Sequence, residues 1–163
     1  MDSPVITKLI KKHWDGQLPV KIRHIATSMG ITLKPLSFDE SFSSSVKTRI
    51  INQDKKLTIE FNTRGSRQSQ DIAIAHAVAR IAFNQVKEGQ SFEDGAELDL
   101  VKYNNENDMD ANEATYQILT PAKELKKAID QYGTYDPEDL AGLFDTHSAL
   151  IYKRMKDLGL VEA

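Results

Sequence analysis

DIAIAHAVARIAF, residues 71–83, has the apolar periodicity of a helix that is buried in a protein core. One face is formed by residues three and four positions apart, namely Ile72, Ala75, His76, Ala79 and Phe83. A second apolar face is formed by Ile74, Val78 and Ile81. Because the helix is apolar nearly all round, we expect it to be central to the fold. His76 places an ionisable ring in the middle of it.

Residues 76–80 occupy the frame of the zinc-binding motif His-Glu-x-x-His. In that motif two histidines four residues apart bind one zinc ion, and the glutamate activates the bound water. Here the five residues are His76-Ala77-Val78-Ala79-Arg80. The first histidine is present, whereas the general base and the second histidine are replaced. A single histidine in an apolar helix is more often a core residue than a ligand, so both interpretations stay open.

Length and composition predict one soluble domain with a real hydrophobic core. The chain has 163 residues, of which 40% are hydrophobic and 28% charged. It contains no cysteine, which excludes disulfide bonds and thiolate zinc sites. The start, MDSP, lacks the pattern of a signal peptide, and apolar runs stay below the roughly 18 residues of a membrane span. We therefore expect a cytoplasmic protein without a membrane segment.

Charge is distributed unevenly along the chain. The net charge of −3 gives no general reason to expect nucleic-acid binding. Residues 1–36 contain six basic and two acidic side chains, whereas residues 88–113 contain nine acidic side chains and Lys102. Residues 134–163 contain three basic and six acidic side chains, a poor balance for contact with phosphates. We expect most of these charges to lie on solvated faces.

The periodicity and the turn residues predict a mixed succession of elements. We expect helices at 3–14 and 20–29, a strand at 31–36, a hairpin at 46–52 and 57–62, the central helix continuing to about residue 86, and helices at 108–119, 121–132, 136–143 and 147–158. Pro35 indicates that the first strand lies at an edge or ends there. Residues 88–108 are predicted to form an acidic loop with one short element within 96–103. Whether this loop covers the site is left open.

This succession, together with the altered zinc motif, resembles the ImmA/IrrE family of metallo-endopeptidases. The resemblance extends over roughly residues 9–160 and is carried by segments 19–31, 57–76, 110–121 and 140–160. It implies an α+β, zincin-like metallopeptidase-type fold, in which a small antiparallel sheet packs on the central helix. It also implies a domain at 1–133 and a helix-turn-helix-like tail at 134–163, packed together as one unit.

The resemblance implies that His76, Arg80 and Asp110 occupy the positions of the family's zinc ligands. Ala77 occupies the position of its general base. Arg80 cannot bind a cation, because a guanidinium is always charged and has only donors. The site is therefore vestigial, and His76 and Asp110 are the residues left that can bind a metal. We predict that an Arg80–Asp110 ion pair replaces the metal as the link between two helices. Alternatively, Arg80 reaches solvent and Asp110 simply begins its helix.

The leading hypothesis is a catalytically inactive protein that acts by binding a partner protein and needs no cofactor. The resemblance implies that the partner is a helix-turn-helix repressor-type regulator, in a system associated with a mobile element, a prophage or a toxin–antitoxin-like pair. The first alternative is a zinc-dependent metallo-endopeptidase that cleaves such a regulator, with additional ligands from His13, His24 or His147 or with another metal. The second is a DNA-binding regulator that uses the C-terminal helices. The oligomeric state is not predicted.

Overall fold

The protein is a mixed α+β structure, as predicted from the sequence. The computed structural model describes residues 2–37, 46–95 and 105–161, and within these ranges it contains seven helices and one four-stranded sheet. Helices long and apolar enough to cross a lipid bilayer are absent from the described residues. The predicted short element within residues 96–103 lies outside them.

The elements follow the predicted order, with one additional strand. In chain order they are α1 (Pro4–His13), α2 (Ile22–Ser28), β1 (Thr32–Leu36), β2 (Thr48–Gln53), β3 (Lys56–Asn62), α3 (Arg67–Ala82), β4 (Gln90–Asp94), α4 (Glu106–Leu119), α5 (Ala122–Tyr132), α6 (Pro137–Phe144) and α7 (Ser148–Asp157). The strand β4 was not predicted, because the sequence pattern indicated a loop at 88–108.

The sheet is mixed, and the prediction of an antiparallel sheet is therefore wrong for one of its pairs. The strand order is β1-β3-β2-β4. β1 is parallel to β3, with Leu33 opposite Ile59, whereas β2 is antiparallel to both β3 and β4. The alternation within β1 shows a strand but does not show which neighbour it pairs with. β1 and β4 are the edge strands of this sheet, and the edge position of β1 agrees with the expectation from Pro35.

The hairpin between β2 and β3 turns at Asp54 and Lys55. Both residues have a positive φ, 54° and 59°, as in the two-residue turns that match the twist of antiparallel strands. Gln53 and Lys56 are paired across the ladder, so the turn is two residues shorter than the four polar residues of the sequence indicated.

The central helix α3 begins and ends at recognisable signals. Ser66 is the N-cap, and its side chain accepts a hydrogen bond from the backbone NH of Ser69. The helix ends at Ala82, four residues before the predicted end, and Asn84 has a left-handed φ of 57°. Residues 72–80 of α3 are all buried, which confirms that this helix lies at the centre of the fold.

Two hydrophobic clusters form the interior. The larger one joins α1, α2, the sheet, α3 and α4, with fully buried side chains such as Ile6, Ile25, Ile59, Val78 and Ile118. The smaller one joins α5, α6 and α7, and it includes Leu125, Leu140, Ile151 and Met155. The clusters are tied together by Arg154, which donates from Nε to the backbone oxygen of Thr120 and pairs with the Asp2 carboxylate.

Candidate functional site: a buried ionic network beneath the central helix

His76 is enclosed by hydrogen-bond partners on both sides of its ring. The helix α3 places it in the core, where it is 1% exposed. Its Nδ1 lies 2.5 Å from Oδ2 of Asp94 on β4, and its Nε2 lies 2.5 Å from Oδ1 of Asn112 on α4. Both ring nitrogens, the atoms through which a histidine binds a metal, are therefore engaged within the protein.

Asp94 is the carboxylate on which the network converges. It is 3% exposed, and besides the His76 ring it accepts hydrogen bonds from Nε of Arg80 at 2.9 Å and from Nη2 at 3.4 Å. Burial by itself would raise the pKa of Asp94. The hydrogen bonds and charges of His76 and Arg80 outweigh this effect and lower the pKa from 3.8 to about 2. Asp94 is therefore ionised at neutral pH despite its burial.

Arg80 extends the network from β4 to the start of α4. It is 5% exposed, and its Nη2 donates to Oδ1 of Asp108 at 2.9 Å while its Nη1 donates to Oε1 of Gln85 at 3.0 Å. Its guanidinium also lies 4.6 Å from the centre of the Phe92 ring. Burial would lower the pKa of Arg80, but the charges and hydrogen bonds of Asp94 and Asp108 raise it. The cation is thus paired and held in one orientation.

The predicted ion pair between Arg80 and Asp110 is wrong, although Arg80 is buried and paired as expected. Asp110 is exposed and borders a different cavity, near Asp2 and Arg154. The partner on α4 is Asp108, which lies four residues before Asn112 and therefore on the same face of the helix. Asp110 is two residues from Asp108, about 200° around the helix. Arg80 therefore does not reach solvent, and Asp110 does not face it.

The network does not have the donors of a zinc site. Ala77 is fully buried and carries no general base, and Arg80 occupies the second-histidine position with donors only. Residues 2–37, 46–95 and 105–161 contain no group of three or more histidine, aspartate or glutamate side chains arranged to bind a metal ion.

The other histidines lie on separate elements. His13 ends α1 and its Nδ1 lies 2.8 Å from the Ser28 hydroxyl, His24 is exposed on α2, and His147 is the N-cap residue of α7. Within the described part of the chain they are not assembled with His76 into a candidate metal centre.

The cations of the C-terminal helices contact other side chains of the protein. Arg154 is 3% exposed and pairs with Asp2, and Lys153 forms an ion pair with Asp157 on the same helix. Lys156 lies 5.5 Å from the centre of the Tyr152 ring. These contacts draw the three basic residues of α7 towards partners within the fold rather than into one free cationic surface.

Sequence reasoning found His76 and Arg80 but missed Asp94, Asp108 and Asn112. The helical spacing of α4 could have indicated Asp108 and Asn112. Ala111 and Ala114 were assigned to its inner face, Asp108 lies one turn before Ala111, and Asn112 lies one turn after Asp108. Asp94 gave no comparable signal, since it lies in a short polar segment rich in charge.

Comparisons with known proteins add no relative. A scan against models of protein families finds no match to this chain, and neither does a comparison with curated proteins. The likeness to the ImmA/IrrE family therefore stays a prediction from the sequence.

Proposed function

We propose that this chain is a non-catalytic, zincin-like protein related to the ImmA/IrrE metallo-endopeptidases, and that it acts by binding a partner protein. The partner is a helix-turn-helix repressor-type regulator, within a mobile-element, prophage or toxin–antitoxin-like system. The observation that carries the proposal is the position of Arg80, which bridges Asp94 and Asp108 where the motif would have its second histidine.

The absence of peptidase activity is supported by the hydrogen bonding of the network. Each member already has its partners, and the two ends of the network cross-link α3 to β4 and to α4. A metal ion performs this linking role in metalloproteins, and charged side chains perform it here. The replacement keeps the architecture and removes both the metal ligand and the base. Since binding of a protein and cleavage of its backbone use different groups, binding can outlast catalysis.

The surface around the network supports the choice of partner. Phe92 on β4 is 37% exposed and its ring lies under the Arg80 guanidinium. Met109 is 44% exposed and follows Asp108 directly on α4. Large exposed apolar side chains within a polar rim are typical of protein-binding sites. The sequence of residues 88–113 is strongly acidic, and among its described residues Glu93, Glu106 and Asp110 are exposed. Because DNA-binding domains present basic faces, exposed carboxylates and apolar side chains on β4 and α4 fit a repressor domain.

Measurements of metal content and of partner cleavage test the proposal that the protein has no peptidase activity. Protein purified without a histidine tag is analysed by mass spectrometry before and after zinc addition, and it is incubated with a helix-turn-helix regulator encoded beside this chain. We expect less than stoichiometric zinc and an unchanged intact mass of the regulator. One zinc per chain, lost in His76→Ala, together with cleaved regulator, would establish a peptidase instead.

Calorimetric titration of the same regulator tests the binding surface. We expect Met109→Lys to weaken the complex at least about tenfold, because it removes an apolar anchor and adds a positive charge that repels a basic partner. Tyr135→Lys is the matched control, since Tyr135 is also a large exposed side chain, 58% exposed, but lies in the turn before α6. Equal affinity of the two variants would reject this surface, and a steep salt-dependent shift of duplex DNA would favour the DNA-binding alternative.

A further inference from the structure

Two aspartates of the chain precede a glycine, and the fold places them in opposite surroundings. They are Asp15, in the segment between α1 and α2, and Asp94, at the end of β4. An aspartate before a glycine isomerises readily, because the glycine has no side chain to hinder attack by its backbone nitrogen on the aspartate carboxyl group. Both sites share this covalent chemistry, so a difference in their reactivity has to come from the fold.

The carboxyl group of Asp15 lies at the surface, in a turn formed with its own backbone. Asp15, Gly16 and Gln17 are all exposed. Oδ1 of Asp15 accepts a hydrogen bond from the backbone NH of Gln17 at 2.9 Å, which is an Asx turn. The ring closed by this bond contains Cγ of Asp15 and the backbone nitrogen of Gly16, the two atoms that join when aspartate isomerises. Water and protons reach this carboxyl group freely.

Gly16 supplies the backbone freedom that the reaction needs. The peptide plane between Asp15 and Gly16 has to rotate before the nitrogen can attack Cγ, and this rotation changes φ of Gly16. Gly16 has a φ of 80°, and open space surrounds the position that a Cβ would occupy. Glycine tolerates a wide range of φ values, so the rotation is not hindered. The hydrogen bond from Nε1 of Trp14 to the Gln17 oxygen spans this segment but involves neither reacting group.

Asp94 has the same neighbour, Gly95, but both its carboxylate and its backbone are held. The carboxylate accepts hydrogen bonds from Arg80 within the buried network. The backbone is paired with Thr48 in the sheet, and its oxygen accepts from the NH of Lys47 at 2.9 Å. Loss of water from the carboxyl group requires its protonated form, whereas the pKa of Asp94 is lowered to about 2. Attack by Gly95 therefore requires the end of β4 to open.

We propose that Asp15 is a site of spontaneous isomerisation to isoaspartate in the folded protein, and that the fold protects Asp94 from the same reaction. The Gly16 nitrogen attacks Cγ of the protonated Asp15 side chain. A C–N bond forms, the C–OH bond breaks, and the hydroxyl group leaves with the amide proton as water. The product is a cyclic imide.

Water then opens the imide at either of its carbonyl carbons. Attack at the side-chain carbonyl restores Asp15, whereas attack at the main-chain carbonyl leaves the backbone running through Cβ, which is isoaspartate. The isomer has the mass of the original chain and adds one methylene group to the backbone between α1 and α2. This site does not depend on the proposed function.

Peptide mapping of aged protein tests the proposal. Full-length protein is incubated for several weeks at mildly acidic pH, with a parallel sample in urea that unfolds it. Trypsin then releases residues 13–21 and residues 88–102, each of which contains one Asp-Gly pair. Chromatography separates the isomers, and electron-transfer fragmentation identifies the position of isoaspartate. The rate in urea divided by the rate in the folded protein gives the protection of each site.

The two sites should differ in protection. We expect Asp15 to isomerise in the folded protein within about threefold of its rate in urea, and Asp94 to be slowed by folding at least about tenfold, because it reacts only when the structure around it opens. Asp15→Glu is the matched control variant. It keeps the exposed charge, but attack would have to close a six-membered ring, which forms far more slowly. It should remove the isomer from residues 13–21 and leave residues 88–102 unchanged.

Isoaspartate that accumulates at Asp15 in the folded protein, and at Asp94 only in urea, supports the proposal. The proposal is overturned if residues 13–21 gain no isoaspartate in the folded protein, or if folding slows the two sites equally. Persistence of the same isomer in Asp15→Glu would also overturn it. Should Asp15→Glu fail to fold, the comparison of the two sites within the unchanged protein still decides the question.

Discussion

The two ends of α3 carry ionic networks of similar composition in different surroundings. Near its C-terminal end, Arg80 pairs with Asp94 and Asp108 and is 5% exposed. At its N-terminal end, Arg67 pairs with Asp71 and Asp145, and its side chain is 61% exposed. Each arginine has two carboxylates, so counting ion pairs does not distinguish the two networks. Burial does, because an exposed pair gains little over hydration whereas a buried charge cannot lose its partner cheaply.

The largest expected effect is that of Asp94→Asn. The change preserves the shape of the side chain but leaves a buried Arg80 cation with Asp108 as its remaining charged partner. We expect the free energy of unfolding, measured by urea denaturation, to fall by about 3 kcal/mol. The control is Glu93→Gln, since Glu93 is the adjacent residue on the same strand and its side chain is 55% exposed. If both variants unfold at the same urea concentration, the network has no special role in stability.

Acid should weaken the buried network in a defined pH range. The pKa of Asp94 is lowered in the folded protein from 3.8 to about 2, so folding favours its ionised form. This contribution is complete above the unfolded-state pKa and is lost as the pH falls from about 4 towards 2. It corresponds to about 2 kcal/mol. Urea denaturation at a series of pH values should show this loss in the unchanged protein and a flatter profile in Asp94→Asn. If the unchanged protein and Asp94→Asn lost stability in parallel as the pH falls, the lowered pKa of Asp94 would be contradicted.

A pair of alanine variants on α4 distinguishes the buried face of that helix from its exposed face. Asp108→Ala removes a charged hydrogen bond to Arg80 and should lower the free energy of unfolding by about 1.5 kcal/mol. Asp110→Ala removes an exposed carboxylate two residues away and should change it by less than about 0.5 kcal/mol. The measurement is again urea denaturation. A larger loss in Asp110→Ala than in Asp108→Ala would restore the ion pair that the sequence predicted.

Asp108 and Asp110 also show which parts of the candidate site could be predicted from the sequence. The periodicity of residues 71–83 was enough to predict a buried helix with His76 at its centre, because apolar spacing reflects burial directly. The same reasoning, applied to α4, would have selected Asp108, which lies one turn before Ala111. The choice of Asp110 came instead from the family resemblance, in which the position that matches Asp110 carries the third zinc ligand. Helical geometry was the better guide to the contact.

The strand β4 could not be predicted in the same way. Four of its five residues are exposed and its one buried residue is the carboxylate of Asp94, so the strand lacks the apolar alternation that identifies a half-buried strand. Its place in the sheet depends on pairing with β2, and Asp94 is buried because α3 supplies His76 and Arg80. These are contacts between segments distant in sequence. Local patterns do not contain them, and so the central residue of the candidate site was missed.

The smallest expected effect is that of Asp145→Asn at the exposed end of α3. Hydrogen bonds from Gln68 and Arg67 hold the pKa of Asp145 below its usual value, but these groups remain accessible to water. The shift of the urea midpoint should be about a quarter of that of Asp94→Asn or less, since exposed pairs contribute little. Raising the salt concentration to about 1 M should remove this small shift by screening, and it should leave most of the effect of Asp94→Asn. Equal salt sensitivity of the two variants would show that burial does not separate the networks. Any difference in stability between the variants at the two ends of α3 would then have to come from the geometry of the ion pairs.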